Sequence, residues 1–91
     1  MNILDNRIIA ILRDVDAENI VDVINALVGG GIISIEIPLN HSTPAAKAAS
    51  LRTIQKSHET FGDQIFLGAG TILSPEEAEA AANAGAKIGR A

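Results

Sequence analysis

Cysteine is absent from this 91-residue chain. Its absence excludes disulfides, thiolate nucleophiles and cysteine-based metal sites. Aromatic residues make up only 2% of the chain, with no tryptophan or tyrosine. Any core must therefore be built from Ile, Leu, Val and Ala. Positive charge is also short, and the net charge of −4 argues against a nucleic-acid or anionic-membrane partner. A small anionic ligand is still allowed, because one or two local cations suffice to hold it. No apolar run approaches the ~20 residues of a membrane span. The opening Met1-Asn2-Ile3-Leu4-Asp5 has no basic segment leading into an apolar one, so no signal peptide is expected. A cytoplasmic location fits these features.

Hydrophobic residues, in contrast, make up 47% of the chain, enough for one small packed domain. From Arg7, the run Ile8-Ile9-Ala10-Ile11-Leu12, closed by Arg13, reads as a strand covered on both faces. Asp14-Val15-Asp16 breaks it. Asp16 suits a helix N-cap and Glu18 the positive end of the helix that follows. Ile20, Val23, Ile24 and Leu27 recur at helical spacing and predict one buried stripe, ended by Gly29-Gly30-Gly31.

The stretch Ile32-Ile33-Ser34-Ile35-Glu36-Ile37-Pro38-Leu39-Asn40 reads as a second buried strand carrying a single carboxylate. After the turn Asn40-His41-Ser42-Thr43-Pro44, Thr43 caps a helix with Pro44 in its first position. Ala45, Ala48, Leu51 and Ile54 are its expected buried stripe, and Lys47, Arg52 and Lys56 its wet side. That helix is expected to fray near Ser57 to Thr60, before a turn at Phe61-Gly62-Asp63. A third strand, Ile65-Phe66-Leu67, runs into Gly68-Ala69-Gly70-Thr71. Ser74-Pro75-Glu76-Glu77 opens a third helix with a cap, a first-position proline and a capping-box glutamate, and Gly85 stops it. Ala86-Lys87-Ile88 then opens a fourth strand. The β-α-β-α-β-α-(β) order predicts an α/β fold with a parallel sheet and right-handed crossovers, as an open sheet or a (β/α) barrel.

In both architectures ligands bind at the carboxyl ends of the strands. Arg13, Glu36 and Thr71 sit there, after or near the ends of strands one, two and three. Period two places Glu36 on one face with Ser34 and Ile32, opposite Ile33, Ile35 and Ile37, so Glu36 should point into the barrel or crevice. A cation, a carboxylate and a hydroxyl on one rim suit an anionic, oxygen-rich substrate. Two readings of Arg13 and Glu36 stay open: a structural ion pair between neighbouring strands, or a working pair in a site. Thr71 also reads as a turn hydroxyl bonding its own backbone. Gly68 and Gly70 are not a dinucleotide fingerprint, since Leu73 stands where the third glycine belongs. They suit a close backbone approach or a strand-end bulge. His41 and His58 have no partner at metal-ligand spacing, and His41 reads as a solvated loop residue.

Taken together, Ile9-Ala10-Ile11-Leu12-Arg13, Ile35-Glu36-Ile37-Pro38-Leu39-Asn40 and Gly68-Ala69-Gly70-Thr71 resemble the KDPG/KHG aldolase family in order and spacing. Pro38-Leu39-Asn40 is similar to the 2-dehydro-3-deoxy-6-phosphogalactonate branch. The resemblance implies a (β/α)₈ barrel that oligomerises and cleaves 2-keto-3-deoxy-6-phosphosugar acids. The products are pyruvate and glyceraldehyde 3-phosphate, formed through a Schiff base on a strand-six lysine. It also implies that Glu36 is the catalytic acid/base, that Arg13 and Thr71 bind substrate, and that no metal or cofactor is needed.

A full barrel of this kind needs roughly 200 residues or more. Residues 1–91 read as one partial domain, the N-terminal half of a (β/α)₈ TIM barrel, truncated at about strand four. The strand-six lysine lies outside it. Lys47 and Lys56 belong to a helix exterior, and Lys87 to the rim opposite Glu36. Ile88-Gly89-Arg90-Ala91 departs from the family pattern. The alternative readings are a non-catalytic half barrel that self-associates, exposing Ile9, Ile11 and Leu67, or another phosphosugar barrel such as an epimerase.

Overall fold

A computed structural model describes residues 8–91; Arg7 and the Met1 to Asp5 opening lie outside the described residues. Four parallel strands form one sheet in the order β1-β2-β3-β4. They are β1 (Ile9–Ile11), β2 (Ser34–Pro38), β3 (Phe66–Gly70) and β4 (Ile88–Gly89). The crossovers are α1 (Ala17–Gly29), α2 (Pro44–Phe61) and α3 (Pro75–Ala84), with a short 3₁₀ turn at Gly62–Gln64. This is a partial (β/α) barrel, an α/β sheet with each strand paired to its neighbour in sequence.

The helix starts are those the caps require. Asp16 accepts from the Asn19 N–H, Thr43 from the Ala46 N–H and Ser74 from the Glu77 N–H. Pro44 and Pro75 each occupy a first turn, where a missing N–H costs nothing. Register follows the pleat. Ile9, Ala10 and Ile11 pair with Ser34, Ile35 and Glu36, and Glu36 pairs onward with Gly68.

The two faces of the sheet differ sharply. On the outer face Ile35, Ile37, Leu67 and Ala69 are buried against Ile20, Ile24, Ile54 and Phe61 of the helices. The inner, concave face carries Ile9, Ser34, Glu36, Phe66, Gly68, Ile88 and Arg90. Strand one is thus covered on its outer face only, with Ile9 and Ile11 each 49% exposed.

The structure corrects several expectations about orientation. Leu67 is buried in the helix layer, and Phe66 is the side chain of β3 that lies exposed on the concave face. The strand begins at Ser34, so Ile32 and Ile33 escape its alternation; Ile32 packs against the core and Ile33 is exposed. On α2, Ala45 and Ala48 are exposed, and the buried face is Thr53, Ile54, Ser57 and Phe61. That face includes two hydroxyls, which bond back into the helix: Thr53 donates to the Ala49 carbonyl and Ser57 to the Thr53 carbonyl. An apolar count cannot find a stripe of that composition. Instead of fraying near Ser57, α2 continues to Phe61, whose ring anchors its last turn in the core.

Candidate active site at the strand ends

Glu36 is the middle residue of β2, on the concave face, with its side chain only 10% exposed and its carboxylate reaching Gly70 at the carboxyl end of β3. Its Oε1 accepts from Arg90 Nε at 2.7 Å. Arg90 follows β4, and its backbone is pinned to the strand β3 region: its N–H donates to the Ala69 carbonyl, and its carbonyl accepts from the Ile72 N–H. The pair therefore reaches across β3 from β2 to the end of β4. It can do so because β3 presents Gly68 and Gly70 on this face. A Cβ at Gly70 would stand 3.0 Å from Glu36 Oε2. The glycines thus serve a close approach, and the group approaching Gly70 is the Glu36 side chain. The Glu36 carboxylate pushes the Arg90 pKa up, through a hydrogen bond first and its charge second.

Arg13 is not the guanidinium beside Glu36. It is exposed and lines a separate hollow of about 250 Å³ on the strand-end rim, with Asp14, Asn40, His41 and Thr71. The structure therefore brings Arg13 and Thr71 together and sets Glu36 apart from them, in the concave cleft. Arg90 escapes a reading by motif because it lies where the family pattern is lost. Period two counted from Ile88 puts it on the Glu36 face, and that was the available signal.

The rim itself is strained. Thr71, just after β3, has φ 56°, and Asp14, in the β1–α1 connection, has φ 57°. Left-handed backbone is uncommon outside glycine and is least tolerated by a β-branched residue such as threonine. Such strain costs about 1–3 kcal/mol and collects at functional sites. Asp14 is held by Asn40, whose Nδ2 donates to Asp14 Oδ1 at 2.9 Å. Asn40 Oδ1 accepts from the Ser42 N–H, and the Asn40 N–H donates to Ser50 Oγ. One amide thus ties the loop after β1 to the loop after β2.

His41 is not a solvated loop residue. Its Nε2 lies 2.9 Å from Glu77 Oε2, and Lys47 Nζ reaches the same oxygen at 3.0 Å. Lys47 is accordingly paired, not merely solvated on the helix exterior. Glu77 Oε1 accepts from the Leu73 N–H, one residue ahead of the usual capping-box donor. These bonds lower the Glu77 pKa to about 2, the Leu73 N–H contributing most, then His41, then Lys47. No sequence-spacing rule links residues 36 positions apart, so the clasp was not legible beforehand. Lys87 sits just before β4, beside Asp63 Oδ1 and the Ile65 carbonyl, at the amino end of the sheet and away from Glu36.

A parallel sheet with helices on its outer face, and a carboxylate–guanidinium pair on the other, is an α/β arrangement of the kind a partial (β/α) barrel has. More narrowly, the chain belongs to the family described as KDPG and KHG aldolase, whose model matches residues 2–89. It is 32% identical over 81 residues to the 2-dehydro-3-deoxy-6-phosphogalactonate aldolase of Escherichia coli (strain K12), covering 89% of this chain and 37% of that protein. Among solved structures, a native KDPGal structure superposes with a TM-score of 0.74 at 31% identity, covering 89% of this chain and 36% of that one. The KDPG aldolase of Legionella pneumophila, captured with pyruvate as a covalent carbinolamine, superposes with a TM-score of 0.74 at 28% identity and the same 89% and 36% coverage. The chain thus spans little more than a third of the length of these relatives. Among the described residues, no helix is long and apolar enough to cross a membrane.

Proposed function

We propose that these residues form the amino-terminal part of a Schiff-base aldolase site for 2-keto-3-deoxy-6-phosphosugar acids. The observation that carries this reading is Glu36, a shielded carboxylate on the concave face at the strand ends where barrel enzymes do their chemistry. In that role Glu36 moves a proton to and from the reacting carbons, directly or through a water. Arg13 and Thr71 bind the substrate's polar groups from the rim. The lysine that forms the iminium, the electron sink for C–C cleavage, lies outside residues 1–91. The chain by itself is therefore non-catalytic. Among the described residues its apolar concave face and its β1 and β4 edges are uncovered, which favours self-association.

Two measurements test this. Incubation of the chain with pyruvate and borohydride, followed by mass spectrometry, should show no pyruvyl adduct; an adduct on Lys47, Lys56 or Lys87 refutes the placement of the lysine elsewhere. A chimera joining residues 1–89 to the remaining strands of the E. coli relative should release pyruvate from 2-keto-3-deoxy-6-phosphogalactonate. Glu36→Gln in that chimera should slow release by about 10²–10⁴-fold. An unchanged rate removes Glu36 from the chemistry.

A further inference from the structure

Arg13 is bracketed by two bonds, and both come from β2 or the loop after it. On its amino side the Leu12 N–H donates to the Glu36 carbonyl at 2.9 Å. On its carboxyl side Asp14 turns into left-handed backbone at φ 57°, and its carboxylate accepts from Asn40 Nδ2 at 2.9 Å. Aspartate enters that region more readily than most residues, yet ordinary right-handed or extended backbone is still the relaxed state. A hydrogen bond to an ionised carboxylate is strong enough to offset the difference. Asn40 is itself fixed. Its N–H donates to Ser50 Oγ at 3.0 Å, and that hydroxyl donates to the Ala46 carbonyl in the first turn of α2. Its Oδ1 accepts from the Ser42 N–H at 2.9 Å, which leaves Nδ2 for Asp14.

Arg13 is exposed, and a long exposed side chain takes its direction from the backbone that bears it. We propose that Asn40 is a positioning residue: by holding Asp14 left-handed, it aims Arg13 at the rim hollow of about 250 Å³ that Arg13 shares with Thr71. Asn40 lines the same hollow, but each end of its amide is already engaged, so its effect on a ligand runs through Arg13. The ligand group concerned is an oxyanion, which a guanidinium takes as a bidentate pair. This role rests on the reading of Arg13 as a substrate contact. The bonds that make it up belong to the rim of the first two βα units and are complete among the described residues.

The test has two arms. The first is magnetic resonance on the isotope-labelled 91-residue chain. Left-handed backbone brings a residue's amide and α protons close, so Asp14 should give a strong intraresidue cross-peak between them. Asn40→Ala should weaken that cross-peak to the level of ordinary loop residues. Asn40→Asp should weaken it at least as much, because two carboxylates then face each other. Exchanging the partners, Asp14→Asn with Asn40→Asp, restores an amide–carboxylate bond in the reverse direction and should restore the cross-peak. A cross-peak unchanged in Asn40→Ala, or not recovered in the exchange, overturns the proposal.

The second arm is pyruvate release by the chimera described above. Arg13→Ala should raise KM by about tenfold or more. Asn40→Asp should raise KM by about fivefold or more with kcat within about twofold, the pattern of lost uniform binding. The exchange should return KM to within about threefold of the parent. A merely structural Asn40 would lower the melting temperature and leave KM alone. KM unmoved by Asn40→Asp while Arg13→Ala raises it overturns the proposal and leaves the substrate reading of Arg13 standing. KM unmoved by Arg13→Ala overturns both. Should Asn40→Asp fail to fold, Asn40→Ala takes its place; should the chimera release no pyruvate, the first arm decides alone.

Discussion

Replacing Gly70 with alanine should drive the Glu36 carboxylate away from Arg90. The new Cβ would lie 3.0 Å from Oε2, 3.1 Å from Cδ and 3.4 Å from Cγ of Glu36. A relaxed contact stands at about 3.5–4.0 Å, so the carboxylate must retreat by roughly half an ångström or more. The Arg90 bond, now 2.7 Å, would lengthen towards the ~3.2 Å limit of an N–H···O bond. Overpacking of this kind costs about 1–3 kcal/mol, and the lower half applies because the obstructing atoms end a flexible side chain. For a chain of this size, about 1–2 kcal/mol lowers the melting temperature by roughly 5–15 °C, read by circular dichroism. A double-mutant cycle isolates the cause. Glu36→Ala removes the obstruction, so Gly70→Ala in that background should cost at least about 1 kcal/mol less. If Gly70→Ala melts with the parent, or costs the same with Glu36 removed, β3 is not what makes room for the pair.

Gly85→Ala should destabilise by about 2 kcal/mol or more, since φ is +117° and the added Cβ would collide with the His58 side chain. His58→Gly should relieve only the collision, leaving the backbone strain measurable by chemical denaturation. The Glu77 pKa is lowered from 4.5 to about 2 on folding, so the unfolded chain takes up this proton first as pH falls. The stabilisation is complete above about pH 4.5 and is lost as pH falls towards 2; Glu77→Gln should flatten denaturant midpoints across that window. Size-exclusion chromatography should find the parent chain larger than a monomer. Phe66→Glu, placing charge on the apolar concave face, should shift it towards monomer. A monomeric parent refutes self-association.

The legibility of this chain follows the range of each interaction. Caps act within one turn, so Asp16, Thr43 and Ser74 were readable as helix starts, and alternation along β2 placed Glu36 on the open face. Expectations failed where a partner comes from elsewhere in the fold. Thr53 and Ser57 hide polar groups inside a buried stripe, which shifted the apparent face of α2 to Ala45 and Ala48. Leu67 and Phe66 exchanged places because no charge on β3 marks which face is which. The Glu36–Arg90 and His41–Glu77 contacts bridge 54 and 36 positions, and residue types alone left several candidates for each.

The strand order has a kinetic corollary. Every strand pairs with the next in sequence, so no distant loop must close before any interface forms. The chain resembles a short stack of βα modules packed mainly on their neighbours, as in a solenoid, with the Glu36–Arg90 bond bridging across β3. β2, α2 and β3 are flanked on both sides, whereas among the described residues β1 and β4 each have one neighbour. Amide exchange should therefore be slowest in the middle module and quicken towards both edges, with the rim loops opening long before the sheet does.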